Sequence, residues 1–244
     1  MENIIELKNV AFSGAQGNVI NGITAEFPKG KTTAIVGPSG GGKSTVLKLS
    51  AGLLLPTEGD VFYNGKNIAY MNRSENQQFR FESAFVFQDS ALWANQNLFQ
   101  ILELPLRIHF PQMSLKERTN RIKEVTNEVG YKKNLHIRPA LLSMGEQKLI
   151  GFARALLCNP SILFLDEWVE SLDEISADRL INIVRNKQKE GATIIFVCHD
   201  MRIIKDLADF IVVIAEGKIN VNMTKDQAMN DTELNNYLRM RIAL

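Results

Sequence analysis

A chain of 244 residues with 45% hydrophobic and 23% charged side chains can bury the core of one large α/β domain with an insertion, or of two small domains. A formal net charge of +1 gives no support to a nucleic-acid or anionic-membrane surface, and no run approaches the roughly 18 apolar residues of a membrane span. The start, Met1 to Glu6, lacks the regions of a signal peptide, and Cys158 and Cys198 are too few for a disulfide scaffold; both are expected as buried free thiols in a reducing cytosol.

In chain order, Ile4 to Val10 and Val19 to Phe27 alternate as antiparallel strands do, and Pro28-Lys29-Gly30 turns the chain into Thr33-Ala34-Ile35-Val36. Gly37-Pro38-Ser39-Gly40-Gly41-Gly42-Lys43-Ser44-Thr45 follows, and Thr45 to Leu49 continues as a helix. Strand, glycine loop and helix form a nucleoside-triphosphate site. The glycines let backbone N–H groups converge on phosphate oxygens, and the helix dipole adds to the attraction. Lys43 is expected on the β/γ-phosphates and the Ser44 hydroxyl on Mg²⁺. A hairpin follows at Gly59 to Tyr63 with Asn64-Gly65 as its turn.

From about Asn95 to Leu157 the signals are helical. Ser114-Leu115-Lys116-Glu117 is a capping box, and Leu115, Ile122, Val125 and Val129 recur at helical spacing as a core stripe. Ile162 to Leu165, Thr193 to Cys198 and Ile211 to Ile214 are continuously apolar, as strands of a helix-covered parallel sheet are. Thr224 to Leu244 reads as one or two short helices. The expectation is an α/β phosphate-loop fold: a mainly parallel sheet core with an antiparallel β part (1–94 and 158–223), an inserted α-helical part (95–157) and a C-terminal tail (224–244).

Four further features narrow the reaction. Asp166 and Glu167 end an apolar strand, so Asp166 lies at the sheet edge where it can hold Mg²⁺ directly or through water, and Glu167 can reach the attacking water as a general base or orienting group. His199 follows the next apolar strand, where it can contact the γ-phosphate. Gln88 ends the strand-like Ala84 to Phe87, where its amide can reach metal or water. Ser143 and Glu146 form a second capping box at a helix start that can receive a phosphate.

In this order, the four resemble the ATP-binding cassette family over nearly the whole chain. The resemblance makes Lys43 to Ser44 the Walker A site, Gln88 the Q-loop, and Ser143, Met144, Gly145, Glu146 and Gln147 the signature. It makes Asp166 and Glu167 the Walker B pair, Asp173 the D-loop residue and His199 the H-loop. It implies ATP and Mg²⁺ as ligands, with Ser44, Gln88 and Asp166 at the metal. It also implies a head-to-tail homodimer in which the Ser143 segment of one copy closes on the phosphates of the other. Three departures stand out. Met144 occupies a usual glycine position, and would be strained by about 1–3 kcal/mol if positive φ were required there. Trp168-Val169-Glu170 replaces the usual proline-threonine-serine, which would alter the D-loop contact. Gly14 stands where an adenine-stacking aromatic is expected, with Phe12 nearby as a core-facing strand residue, so weak discrimination of ATP from GTP is expected.

Two functions fit. One is the ATPase subunit of a membrane transporter, peripheral on the cytoplasmic side of the inner membrane and bound to separate transmembrane subunits. The other is a soluble ATPase of cell division, repair or translation; its long coiled coils, zinc cysteines or second cassette are missing, and no nucleic-acid partner is expected. Phe87 to Leu92, Asn97 to Phe99 and Leu104 to Arg107 are similar to the Mce-associated phospholipid-transport ATPases that maintain outer-membrane asymmetry, implying periplasmic or lipid-binding partners, with amino-acid importers and lipoprotein-releasing systems as near competitors.

Overall fold

Residues 2–14 and 17–231 are described by a computed structural model. The alternating N-terminal segments form strands β1 (Asn3–Gly14) and β2 (Gly17–Pro28), paired antiparallel from Asn3 opposite Pro28 to Gly14 opposite Gly17. The apolar run after the turn is β3 (Thr32–Val36), fully buried, and the phosphate loop leads into α1 (Lys43–Ser50). The hairpin is β4 (Glu58–Tyr63) and β5 (Lys66–Asn67), with Asn64 at φ 47° and Gly65 at φ 73°, both on the positive side that an Asn-Gly turn supplies. α2 (Arg73–Glu82) follows, started by an Asn72–Glu75 capping box, and leads into β6 (Ser83–Val86).

Three helices fill the middle: α3 (Leu98–His109), α4 (Leu115–Glu128) and α5 (Met144–Leu156), each opened by a capping box. On α4 the apolar stripe is buried at Ile122, Val125 and Val129, but Leu115 is 59% exposed. The reason is its place: Leu115 is the first helical residue, before the helix meets its neighbours. The chain then runs through β7 (Ile162–Asp166), α6 (Glu174–Lys189), β8 (Thr193–Val197), α7 (Met201–Leu207), β9 (Phe210–Ala215), β10 (Lys218–Thr224) and α8 (Lys225–Asn230). Of the expected tail helices, α8 is present and residues 232–244 lie outside the described residues.

Two sheets result. One is antiparallel, in the order β2-β1-β4-β5; the other runs β10-β9-β3-β8-β7-β6, parallel except for β10 against β9. The pleat divides the six-stranded sheet into two cores. Ile162, Phe164, Ile35, Ile195 and Val212 face α1 and the antiparallel sheet. Leu163, Leu165, Ala34, Ile194 and Ile211 face the side where α3, α4, α5, α6 and α7 pack. The helical middle of the chain therefore shares its core with one face of the parallel sheet. That arrangement carries the C-terminal ends of β3, β7 and β8 to one place.

Candidate active site

The loop after β3 closes tightly on β9. A Cβ at Gly37 would lie 1.9 Å from the Ile214 carbonyl oxygen, so only glycine fits there. Lys43, 7% exposed, folds over the loop and donates to the Gly37 and Pro38 carbonyls, each at 2.9 Å. Gly41 donates to Pro38 and accepts from Gly217, which closes Pro38 through Gly41 into a turn beside the end of β9. α1 has no side-chain cap, since Gly42 is its N-cap, and no acidic residue lies in its first turn. A helix start of that kind leaves its N–H groups to an anion.

Asp166 is the last residue of β7, an interior strand between β6 and β8, so it lies at the carboxyl end of the sheet and not on a lateral edge. Ser44 on α1 donates to its Oδ1 at 2.8 Å. Burial raises the Asp166 carboxyl, opposed by the Ser44 hydrogen bond. Glu167 follows at φ 43°, a left-handed conformation that costs a non-glycine residue on the order of 1–3 kcal/mol. Its carboxylate is buried, and burial, opposed by Lys43, pushes it up to about 7. His199 Nε2 donates to Glu167 Oε1 at 2.7 Å. Burial and the Lys43 charge both depress the imidazole, so the contact is a neutral imidazole N–H on a carboxylate and not a full ion pair. A carboxylate titrating near neutrality, held by a neutral histidine, can accept a proton from water.

Gln88 lies two residues past the end of β6, and its amide donates to Glu170 Oε2 at 3.1 Å. Ser44, Gln88, Met144, Lys148, Asp166 and Glu170 line one cavity of about 730 Å³, within the size range of a small-molecule site. Of the residues expected as the signature, Met144 and Gln147 line this cavity, from α5. Ser143 caps the helix, and a Cβ at Gly145 would sit 3.1 Å from the Ser171 carbonyl oxygen, so a small residue is needed there. Met144 is the first helical residue, outside the positive-φ set and 73% exposed, so the strain considered above is not present. Asp173 does not reach the phosphate loop of its own chain; its carboxylate caps α6, accepting from the Ser176 N–H and hydroxyl.

Other side chains add to the residue reading or depart from it. Trp168 is fully buried and stacks on Phe152 of α5, with centroids 5.7 Å apart. Cys158 is half-buried, although burial still pushes its thiol up to about 11, and that of Cys198 to about 12. Lys148 is a site residue that motif spacing did not reveal. It is 3% exposed, and its ammonium donates to the Gln88 carbonyl at 2.5 Å and the Glu167 carbonyl at 3.0 Å. Phe12 is half-buried against the core under α1, as expected for a strand residue.

Residues 20–170 match the family model described as ABC transporter. The chain belongs to the ABC transporter family. As a member of it, the chain is an ATP-hydrolysing, nucleotide-binding subunit. It is 29% identical over 236 residues to the intermembrane phospholipid transport system ATP-binding protein MlaF of Haemophilus influenzae, covering 96% of this chain and 88% of that one. It is 34% identical over 209 residues to the methionine import ATP-binding protein MetN of Rhodopseudomonas palustris, covering 85% of this chain and 56% of that protein. Among solved structures, a dimeric post-hydrolysis state of the ATP-binding cassette MJ0796 bound to ADP and Pi superposes with a TM-score of 0.83 at 27% identity. The match spans 90% of this chain and 98% of that one. The α/β cassette fold expected from the residues is the fold found.

Proposed function

We propose that this subunit powers phospholipid transport, working as a head-to-tail homodimer against separate transmembrane subunits on the cytoplasmic face of a membrane. The observation that carries the cargo is the match to the MlaF protein, which runs along nearly the full length of both chains. Similarity to a dimeric cassette holding ADP and Pi supports the pairing. No helix among the described residues is long and apolar enough to cross a membrane, so the transmembrane path belongs to partner chains. In this reading the 95–157 helices carry motion from the sheet part (1–94 and 158–223) to those partners, and 224–244 is a tail.

Each side chain then has a task. Lys43 and the Gly37–Thr45 loop hold the β- and γ-phosphates. Ser44, Asp166 and Gln88 would hold Mg²⁺ through hydroxyl, carboxylate and amide oxygens, the hard donors that this ion prefers. Magnesium supplies charge neutralisation on the phosphates. Glu167 takes the proton of the attacking water, and His199 holds that carboxylate. Ser143, Met144, Gly145 and Glu146 meet the γ-phosphate of the other copy, and Asp173 borders the seam.

Replacing Glu167 by Gln keeps the shape and removes the base, so turnover should fall by about 100-fold or more while ATP binding survives. Size-exclusion chromatography with ATP should then show a trapped dimer. A Glu167→Gln protein that hydrolyses ATP at the parent rate removes the base assignment. Cargo is tested by isolating the chain from detergent-solubilised membranes and identifying its copurifying proteins and lipids. Recovery of an amino-acid permease without phospholipid would overturn the lipid reading.

A further inference from the structure

The elements bearing Gln88 and Glu167 are both held by one helix. α5 carries Lys148 and Arg154, and both donate to backbone carbonyls beyond the ends of β6 and β7. Arg154 donates to the Ala91 carbonyl at 2.7 Å and the Ser90 carbonyl at 3.0 Å. Lys148 donates to the Gln88 and Glu167 carbonyls. The backbone that receives these bonds is strained: Ser90, Ala91 and Glu167 all have positive φ, at 61°, 44° and 43°. Such conformations persist only where the surroundings over-determine them. Two cations on α5, buried Lys148 and half-buried Arg154, supply that constraint.

The geometry at Lys148 is specific. β6 and β7 are adjacent parallel strands, and the Gln88 and Glu167 carbonyls lie just beyond their ends. One ammonium has three N–H groups and can satisfy both carbonyls at once. A buried charge is costly unless compensated: burial pulls the Lys148 ammonium below the usual lysine range, opposed by Glu170, Asp166, Glu167 and Asp89. A methionine or leucine would fill the volume without that cost, so packing alone gives no reason for a lysine.

We propose that Lys148 is a positioning residue for ATP hydrolysis: it fixes the Gln88 and Glu167 backbones in one frame with the start of α5, so that the amide and the carboxylate address the same water. The assignment rests on the role given to Glu167 above. It also gives the helix that carries Ser143 a direct hold on the backbone of the residue that bears the catalytic carboxylate. When the helix start takes up a phosphate, Lys148 is the side chain through which that event sets the geometry of attack.

The test is a series at one position. Lys148→Met keeps stem length and removes the donors, while Lys148→Arg keeps a cation with two or more N–H groups. For the Met variant we expect kcat to fall on the order of 10- to 100-fold, the scale of a misplaced reacting group, with KM for ATP shifted less than about threefold. Lys148→Arg should recover most of the lost turnover. With Glu167→Gln added to the Met variant, ATP should still trap a dimer, because the sandwich does not need the aligned water.

A Met variant with turnover within about twofold of the parent overturns the proposal. So does a fall in kcat matched by an equal loss of ATP affinity, or an Arg variant no better than Met. If the Met protein does not fold, Lys148→Gln, with an amide donor for one carbonyl, takes its place beside Lys148→Arg, and the same three outcomes overturn the proposal. Should Glu167→Gln itself leave hydrolysis intact, the reading of the whole site fails; failure confined to the Lys148 series removes only this assignment.

Discussion

Two helix starts in this chain are suited to phosphate, and they are built in opposite ways. α1 begins at Gly42 with no side-chain cap and no acidic residue in its first turn, so nothing of the protein competes for its N–H groups. α5 begins at Ser143 with both halves of a capping box in place: the Glu146 N–H bonds the Ser143 hydroxyl at 3.2 Å, and the Ser143 N–H bonds Glu146 Oε2 at 2.9 Å. Glu146 is further neutralised by Lys133 at 2.5 Å. The first start is open to an anion at all times. The second is satisfied on its own; in the proposed function it would have to exchange a cap for a ligand, so a phosphate contact there would be conditional. A switchable contact belongs where two copies meet, and a permanent one where the nucleotide is stored.

The comparison can be broken most directly at Lys43. Lys43→Ala removes the principal cation of the open site and should lower ATP affinity on the order of 100-fold, from the loss of charge-assisted hydrogen bonds. Isothermal titration reads this, and tight ATP uptake by the variant would contradict it. Ser143→Ala attacks the conditional site. It should cost about 0.5–2 kcal/mol of stability as a lost cap. Turnover should drop about tenfold with ATP affinity of the single copy unchanged. Equal loss of affinity and turnover would mean that the two starts do not divide the work. The smallest effect is expected at Met144, where glycine should leave turnover equal or slightly faster, because the side chain is exposed and its backbone is helical. A collapse of turnover in Met144→Gly would give that side chain a positive role at the seam.

What could be read from the residues divides along similar lines. The phosphate loop was legible because its glycines are enforced by sterics: β9 leaves no room for a Cβ at Gly37. The strands were legible because their apolar runs have no other home than a covered sheet. Leu115 misled because periodicity does not say where along a helix its neighbours begin. α2 passed unremarked although Asn72 and Glu75 are spaced as a capping box; the polar run behind them gave no apolar stripe to confirm it. Trp168 and Lys148 were hidden for a different reason. Neither sits in an apolar periodicity that announces burial, and only the tertiary packing around α5 shows that both are buried.

The two thiols have a practical bearing. With Cys198 buried and Cys158 half-buried, and their pKa values pushed up to about 12 and about 11, almost no thiolate exists at neutral pH. The natural cysteines should therefore stay silent toward maleimides and spin-label reagents. A single cysteine engineered on the exposed surface of α5 could be labelled in the otherwise unaltered chain, and opening and closing of the nucleotide sandwich followed by spectroscopy.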